Sequence, residues 1–540
     1  MQNRYRGNIK TSMIDSNNKP DNQVGLLTLT NDKLSFNQYN LEKYINHIQS
    51  YGLETTWAHI LNYTQINGCD DFLNPKYFGD LYEAGLAEID KNKKKKSGQY
   101  YTPLDVSNLM SEWLKKLEGV NICDVGCGTG NLIISYLELL DKEEVLFLLK
   151  NKQIFLYDFD RVAITIAQFS IALTYGIEFL DNINVIYGDF LDKGIQLPDN
   201  SKIITNPPYA KYTEVSDNWI NSEIQNEAKE LYAAFMEKIL ITGNPAVLIT
   251  PYSFLGGNKF QSLRIKLSEY NGFIVVFDNV PGNIFNGKKH GIFNTNTANS
   301  VRAAITIVEN KKDIKGFRIT PLIRFKNEER AELLKTSILE SELSSKHQII
   351  NHESKMFEKI NIELEDCFNC WLNKSDETIA DFTKNKDKHY SIYMPNTCRY
   401  FTTASKKKLV RGGYITLHVD DKDKFNFLYC LINSSFIYWW WRIYDGGITY
   451  PVTLLNSAPI FYKLLSSKDK EDLSEIVDEM VSNEDKFTVT KKNAGNIQEN
   501  IKFPKKYRNK INEKFLEILK CEVTYDDFNR LHKNSFFGDL

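Results

Sequence analysis

The sequence predicts an α/β protein in which one doubly wound sheet of seven strands occupies residues 97–310. Short apolar runs alternate there with amphipathic stretches, and a glycine-rich loop follows the first run directly. The composition is that of a globular chain, with 42% hydrophobic and 25% charged residues. At 540 residues the chain is long enough for more than one domain.

The predicted elements alternate along this region as a parallel sheet requires. Strands are expected at residues 122–125, 154–157, 183–187, 203–205, 246–250, 273–277 and 303–308. Helices are expected at residues 105–117, 132–140, 162–173, 228–241 and 260–267. Most strand-to-strand connections therefore contain the helix that a parallel crossover needs.

Two further regions flank the predicted sheet. Residues 1–96 are expected to form a short helical N-terminal extension that ends in the basic run 91–96, which we interpret as a solvated linker, with phosphate contact as the alternative. Residues 311–540 lose the regular alternation after a Lys/Glu-rich helical stretch at 328–346, and we predict a mixed α/β region.

Charge, cysteine content and hydropathy exclude several classes of protein. Lys+Arg 67 against Asp+Glu 69 gives a net charge of −2, so any nucleic-acid face must be local. The eight cysteines include one close pair, Cys367 and Cys370, which lacks a second pair to complete a zinc site. We expect reduced cysteines, no metal and a cytoplasmic protein. Neither a signal peptide nor a membrane-spanning run is visible in the sequence.

The loop after the first strand is the first candidate binding site. Its spacing is D-x-G-x-G-x-G, which is typical of S-adenosylmethionine loops and differs from the GxGxxG of dinucleotide sites. Glycines let the backbone turn tightly and approach a ligand at the start of the next helix. The predicted cofactor residues are Asp124, Gly126, Gly128 and Gly130; a glycine turn made only for packing is the alternative.

Acidic residues follow the second and third strands. Asp158 comes at the end of the second strand, at the sheet edge where a ribose diol of the cofactor would lie. A carboxylate can accept hydrogen bonds from both hydroxyls of that diol. A helix N-cap is the alternative for Asp158 or, more readily, for Asp160. After the third strand, Asp189 is predicted to accept an adenine amino proton while Phe190 packs on the ring.

The sharpest signal is Asn206-Pro207-Pro208-Tyr209 after the fourth strand. Two prolines stiffen the turn, so the Asn206 amide oxygen and the Pro207 carbonyl become fixed acceptors beside an aromatic face. Such a site suits a planar amine on an aromatic ring, with Tyr209 stacking on that ring. Asn206 orients and polarises the amine, since an amide has no useful basicity.

These motifs, in this order and with a GQYYTP segment at 98–103, resemble the adenine-N6 amino-methyltransferases of restriction–modification systems. The resemblance covers residues 97–310 and implies a Rossmann-like, S-adenosylmethionine-dependent sheet. It further implies that Tyr101, Thr102 and Pro103 close over the methionine end of the cofactor. The family's second base-stacking aromatic maps to Phe285, with Phe293 as a competitor and a plain loop aromatic as the third possibility.

The resemblance also implies the substrate, an adenine flipped out of double-stranded DNA. Residues 311–540 would then be the target-recognition region, although we interpret the basic clusters 406–411 and 502–510 as solvated faces and tryptophans 439–441 mainly as core. We expect a monomer whose partner endonuclease is a separate protein. The alternatives are a modification subunit of a larger restriction complex, or a methyltransferase acting on cytosine N4, an RNA base or a protein glutamine.

Overall fold

The computed structural model describes residue 79 and residues 102–286, 301–311, 313–351, 355–383, 389–493 and 496–538. The predicted extension 1–96, apart from residue 79, lies outside the described residues. Tyr101 and Phe293 lie outside them as well.

The centre of the molecule is one eight-stranded sheet. All seven predicted strands are present, as β1 (Asn121–Val125), β2 (Ile154–Asp158), β3 (Asn184–Tyr187), β4 (Ser201–Thr205), β5 (Ala246–Pro251), β6 (Asn271–Phe277) and β7 (Ala303–Val308). The eighth strand, β8 (Gly316–Ile323), pairs in parallel with β6 and lies beyond the predicted boundary at residue 310. The order is β3-β2-β1-β4-β5-β7-β6-β8, with β7 antiparallel to both neighbours.

Helices cover both faces of this sheet. They are α1 (Leu104–Lys116), α2 (Asn131–Leu139), α3 (Lys142–Lys150), α4 (Arg161–Tyr175), α5 (Glu223–Ala228), α6 (Leu231–Thr242) and α7 (Gln261–Leu267). Helix α3 was not predicted; it begins at a capping box formed by Asp141 and Glu144. The helix predicted from residue 228 begins at Leu231 instead, because Lys229 adopts a left-handed φ of 50° that ends α5.

Alternate residues of the inner strands enter two separate cores. Ile122 packs in one core with Ile204, whereas Cys123 and Val125 pack in the other. The inner strands are therefore buried on both faces, as expected for a sheet between two layers of helices, whereas the edge strand β3 exposes Val185 and Tyr187. No helix among the described residues is both long and apolar enough to cross a membrane.

The C-terminal region is mixed α/β and has its own core from Ile360 onward, whereas Leu333 and Leu339 pack in a core of the sheet. Its helices are α8 (Arg330–Leu333), α9 (Thr336–Ser341), α10 (Glu365–Lys374), α11 (Ile379–Phe382), α12 (Lys422–Asn433), α13 (Ser435–Tyr444), α14 (Val452–Asn456), α15 (Ser467–Ser482), α16 (Glu484–Phe487), α17 (Lys505–Leu519) and α18 (Tyr525–Arg530). Its strands form pairs: β9 (Glu377–Thr378) with β12 (Pro459–Ile460), β10 (Tyr390–Pro395) with β11 (Tyr414–Val419), and β13 (Thr488–Asn493) with β14 (Asn496–Ile501).

Two expectations for this region have clear outcomes. The stretch 328–346 is not one helix but the two short helices α8 and α9, separated at Leu334, whose ψ of 52° leaves the helical range. Trp439, Trp440 and Trp441 are all buried in α13, which confirms their interpretation as core residues.

Candidate active site

A cavity of about 370 Å³ opens at the carboxyl ends of β1 to β4. Seven of the fourteen predicted site residues line it, because parallel strands bring their carboxyl ends to one edge of the sheet. The lining includes Thr102, Gly126, Gly128, Asp158, Asp189, Phe190 and Asn206. The volume lies within the range of small-molecule sites, roughly 300 to 1,000 Å³.

The glycine loop forms one wall of the cavity. Gly126, Gly128 and Gly130 all have positive φ, between 53° and 86°, a conformation that side-chain-bearing residues rarely adopt. A Cβ on Gly130 would also lie 2.9 Å from the Cβ of Ala167 in α4. The amide of Gly126 donates to the carbonyl of Tyr157 at 2.8 Å, so the loop is fixed to the end of β2.

Asp124 lies fully buried beneath this loop. Its Oδ2 accepts from the amide of Ile133 at 3.1 Å, which ties the end of β1 to the first turn of α2. Burial raises the pKa of Asp124 to about 8, and the neighbouring Asp158 contributes in the same direction. Among the described residues, no side chain or amide satisfies Asp124 Oδ1 or the buried Oγ1 of Thr129.

Asp158 and Asp160 have different roles after β2. Asp160 accepts from the amides of Val162 and Ala163 at 3.0 and 3.2 Å, so it is the N-cap of α4, as the alternative interpretation predicted. Asp158 accepts from Gly128 N at 2.7 Å and from Asp160 N at 2.8 Å. Burial raises the pKa of Asp158 to about 6, against the backbone hydrogen bonds from Asp160, Gly128 and Phe159 that lower it. Asp158 also lines the cavity.

The third strand delivers Asp189 and Phe190 to the opposite wall. Phe190 is buried against Phe235, with ring centroids 5.1 Å apart. Asp189 accepts from the indole Nε1 of Trp219 at 2.9 Å. Lys238 fixes the loop from below by donating to three backbone carbonyls, among them that of Phe190 at 2.5 Å. Burial lowers the pKa of this lysine to about 8.

The Asn-Pro-Pro-Tyr turn borders the cavity at the end of β4. Asn206 donates from Nδ2 to Thr102 Oγ1 at 3.0 Å. This bond fixes the amide plane and leaves Oδ1 as the acceptor of the amide. It also connects two predicted motifs, because Asn206 belongs to the Asn-Pro-Pro-Tyr turn and Thr102 belongs to the GQYYTP segment directly before α1.

Two aromatic rings stand beside this turn. Tyr209 donates its hydroxyl to the carbonyl of Ile249 at 3.1 Å and is half-buried. Phe285, in a 3₁₀ turn at Ile284–Asn286, lies 6.1 Å from Tyr209 between ring centroids, with 69° between the planes. The structure thus brings the two predicted aromatics together, although Phe285 is buried; its stacking on a base stays a prediction.

Several lining residues were not predicted from the sequence. Trp219 lies in the loop 210–222, which has no motif, and only its hydrogen bond to Asp189 identifies it. Phe159, between Asp158 and Asp160 in the sequence, is 58% exposed and lines the cavity. Phe235 of α6 lines the cavity as well.

The class of protein follows from where these motifs meet. An α/β sheet with one antiparallel strand, which holds the glycine loop and the Asn-Pro-Pro-Tyr turn at the same edge, is that of the α/β methyltransferases. The chain belongs to the N-6 DNA Methylase family, which matches residues 73–388.

One curated relative is a methylase subunit of a restriction enzyme. The Type I restriction enzyme MpnII methylase subunit of Mycoplasma pneumoniae is 23% identical over 261 residues, covering 44% of this chain and 45% of that protein. The chain thus matches less than half the length of that curated relative.

The similar solved structures have low sequence identity to this chain and low TM-scores. The DrdV–DNA complex is 17% identical, with a TM-score of 0.43, over 60% of this chain and 38% of that one. A modification subunit of a putative type I restriction enzyme from Vibrio vulnificus is 18% identical, with a TM-score of 0.34, over 56% and 58% of the two chains.

Proposed function

We propose that this protein is a site-specific DNA methyltransferase that transfers a methyl group from S-adenosylmethionine to N6 of a flipped-out adenine in double-stranded DNA. Its cellular role would be protection of host DNA in a restriction–modification system, with cleavage by a separate endonuclease. The observation that carries the proposal is the position of Asn206, held by Thr102 at the border of the glycine-loop cavity.

The cavity fits S-adenosylmethionine. Its lining combines a glycine loop whose backbone admits close approach with the carboxylates of Asp158 and Asp189. Asp158 has acceptor positions for the ribose hydroxyls, and Phe190 and Phe159 provide apolar surface for the adenine ring. When bound, S-adenosylmethionine supplies an electrophilic methyl group on sulfur.

The chain's own residues act by positioning. The Asn206 oxygen and the Pro207 carbonyl would each accept one N–H of the target amine, which leaves the nitrogen lone pair directed at the methyl carbon. Tyr209 would stack on the extruded base. Direct displacement requires the reacting atoms about 3 to 3.5 Å apart, so accurate positioning supplies most of the rate.

A paired adenine cannot reach this cavity inside a duplex, so the enzyme must flip it out at a cost of a few kcal/mol. We assign residues 311–540 to holding the surrounding DNA and to reading the target, and we expect the chain to act as a monomer. Similarity to a methylase subunit of a type I enzyme supports a second candidate, a modification subunit whose target is read by another chain.

Sequencing of DNA from a methylation-free host that expresses this chain alone tests the function. We expect N6-methyladenine at one recurrent sequence. Unmodified DNA, from cells in which the protein is folded and binds S-adenosylmethionine, would contradict self-sufficient methylation and favour the subunit candidate. N4-methylcytosine in place of methyladenine would overturn the assigned base.

The Asp158 carboxylate is expected to control cofactor affinity. Replacing Asp158 by Ala should weaken S-adenosylmethionine binding by about 1 to 3 kcal/mol, since the ribose hydroxyls lose their acceptor. Because its pKa is raised to about 6, affinity in the wild type should rise as the pH increases through 6 and the carboxylate ionises.

Isothermal titration calorimetry between pH 5 and 8 measures both effects. Asp141→Asn is the matched control, because it removes one carboxylate at the N-cap of α3, outside the cavity, where asparagine is an equally good cap, and it should leave affinity unchanged. Equal affinities for the wild type and Asp158→Ala would remove Asp158 from the cofactor site.

A further inference from the structure

A β-hairpin in the C-terminal region presents both of its faces to solvent. β13 and β14 pair over six residues each, from Thr488 opposite Ile501 to Asn493 opposite Asn496. Ile497 is 63% exposed and Val489 is 38% exposed, whereas Ile501 at the base is buried. An isolated two-stranded hairpin is only marginally stable in water, so other contacts must hold this one in place.

The loop 406–411 supplies those contacts, although it lies almost 90 residues earlier in the chain. The amide of Glu499 donates to the carbonyl of Val410 at 2.8 Å, and the amide of Val410 donates to Glu499 Oε2 at the same distance. Arg411 donates to Asn500 Oδ1 and, at 2.6 Å, to Thr397 Oγ1. The loop and the hairpin therefore form one continuous surface.

A buried carboxylate sets the conformation of the loop. Glu484, just before the hairpin, accepts from the amides of Lys406 and Lys407 at 2.6 and 2.9 Å and from the Tyr429 hydroxyl at 2.8 Å. Only 4% of Glu484 is exposed. Since the backbone of the loop faces this carboxylate, the lysine side chains remain in solvent.

The resulting surface is strongly cationic. Residues 406–411 and 484–502 together hold eight cationic and three acidic side chains, in a chain whose net charge is −2. Lys407 pairs with Asp485 at 2.6 Å. No carboxylate in the described ranges forms an ion pair with the remaining exposed lysines, which are Lys406, Lys408, Lys486, Lys491, Lys492 and Lys502. Such a concentration of unpaired positive charge favours a polyanionic partner.

We propose that this surface, the loop 406–411 with the hairpin Thr488–Ile501, binds duplex DNA with the hairpin in the major groove. The proposal rests on the proposed function and names the element that holds the substrate. A major groove about 12 Å wide admits a two-stranded ribbon. Strands of six residues extend roughly 20 Å, enough to follow the groove across several base pairs.

The two kinds of exposed side chain have separate roles on this surface. Lys491 and Lys492, next to the hairpin turn, contact phosphates on either side of the groove. Ile497 lies opposite Lys492 in the strand register, and its exposed methyl groups suit contact with the methyl group of thymine. The loop 406–411 and the hairpin, which lie far apart in the sequence, thus form one cationic surface.

Binding of the full chain to a 30-base-pair duplex of mixed sequence tests the proposal by fluorescence anisotropy across a salt series. The double variant Lys491→Ala/Lys492→Ala is expected to bind at least about tenfold more weakly at low salt, and the slope of log affinity against log salt should fall by about 1.8 for two lost phosphate contacts. The matched control is Lys142→Ala/Lys150→Ala, which removes the same charge from exposed positions of α3 and should bind like the wild type.

A duplex that contains glucosylated hydroxymethylcytosine tests whether the hairpin binds in the major groove, because its sugars fill that groove. This duplex should lower the affinity of the wild type more than that of the hairpin variant. Equal wild-type affinity for both duplexes would overturn the groove assignment. If the hairpin variant melts below the wild type, Lys486→Ala/Lys502→Ala is measured in its place.

The DNA-binding role of the hairpin surface and the proposed function can be contradicted separately. A hairpin variant that binds duplex as tightly as the wild type, while the wild type transfers label from S-adenosylmethionine to plasmid DNA, would overturn the hairpin surface alone. Stronger wild-type binding to single-stranded RNA than to duplex DNA would overturn the duplex assignment. A folded wild type that neither binds nor labels DNA would overturn the proposed function, and this inference with it.

Discussion

Replacing Asn206 by Ala is expected to lower the rate of methyl transfer to DNA by about 10²- to 10³-fold, while S-adenosylmethionine still binds. The change removes the acceptor that positions the target amine, but it leaves the glycine loop and Asp158 in place. The rate is measured in a single turnover with radiolabelled cofactor, and the affinity by calorimetry. Unchanged turnover would remove the central claim about the Asn-Pro-Pro-Tyr turn.

Two further variants separate positioning from folding. Asn206→Asp keeps the size of the side chain and an oxygen acceptor for the target amine, and the Thr102 hydroxyl can donate to the carboxylate, so more activity should remain than in Asn206→Ala. Thr102→Val keeps Asn206 but removes the Oγ1 that fixes the amide plane, so we expect a smaller loss than for Asn206→Ala. A loss of cofactor binding together with activity in all three variants would indicate a damaged cavity instead of a lost acceptor.

Six of the seven predicted strands could be located because a strand buried on both faces reads as a continuous apolar run, whereas the edge strand β3 is partly exposed. The eighth strand could not. β8 contains Arg318 and Pro321, and a proline inside a run argues against a strand. The structure tolerates both residues because β8 is the edge strand, next to a register shift between Ile274 and Val276.

Residues that follow strand ends were predictable in the same way, since the topology alone gathers Asp124, Asp158, Asp189 and Asn206 at one edge. Contacts between distant segments were not. The bond from Trp219 to Asp189 spans 30 residues, and the one from Asn206 to Thr102 spans 104. Neither has a spacing that a sequence pattern records, because side chains on loops meet only after the sheet has formed.

The junction between the sheet and the C-terminal region depends on one buried acid. Asp278, at the end of β6 and 2% exposed, binds Arg302 at 3.0 Å and Arg324 at 2.9 Å, and Arg442 of α13 approaches to 3.8 Å. Deleting residues 311–540 would remove β8, Arg324 and Arg442 together. Such a truncation would therefore disrupt the sheet and could not by itself test DNA recognition.

Asp278→Ala is accordingly expected to destabilise the protein by about 3 to 5 kcal/mol, because three buried arginines lose the carboxylate that compensates them. Chemical denaturation followed by tryptophan fluorescence measures the change. The matched control is Asp485→Ala, which breaks the exposed pair with Lys407 and should cost less than about 1 kcal/mol. Equal destabilisation by the two variants would mean that the buried cluster contributes no more than a surface ion pair.

The pH dependence gives an independent measurement of the same cluster. Burial alone would raise the pKa of Asp278, but the charges of Arg324, Arg442 and Arg302 outweigh it and hold the pKa below its usual value. The carboxylate therefore stabilises the fold at every pH above the unfolded value of about 3.9, and this contribution is lost as the pH falls through the lower folded pKa. The difference in unfolding free energy between the wild type and Asp278→Ala should thus be constant from pH 8 to 5 and decrease only in more acidic solution. A difference that instead grew below pH 4 would show that the arginines do not act on the ionised form of Asp278.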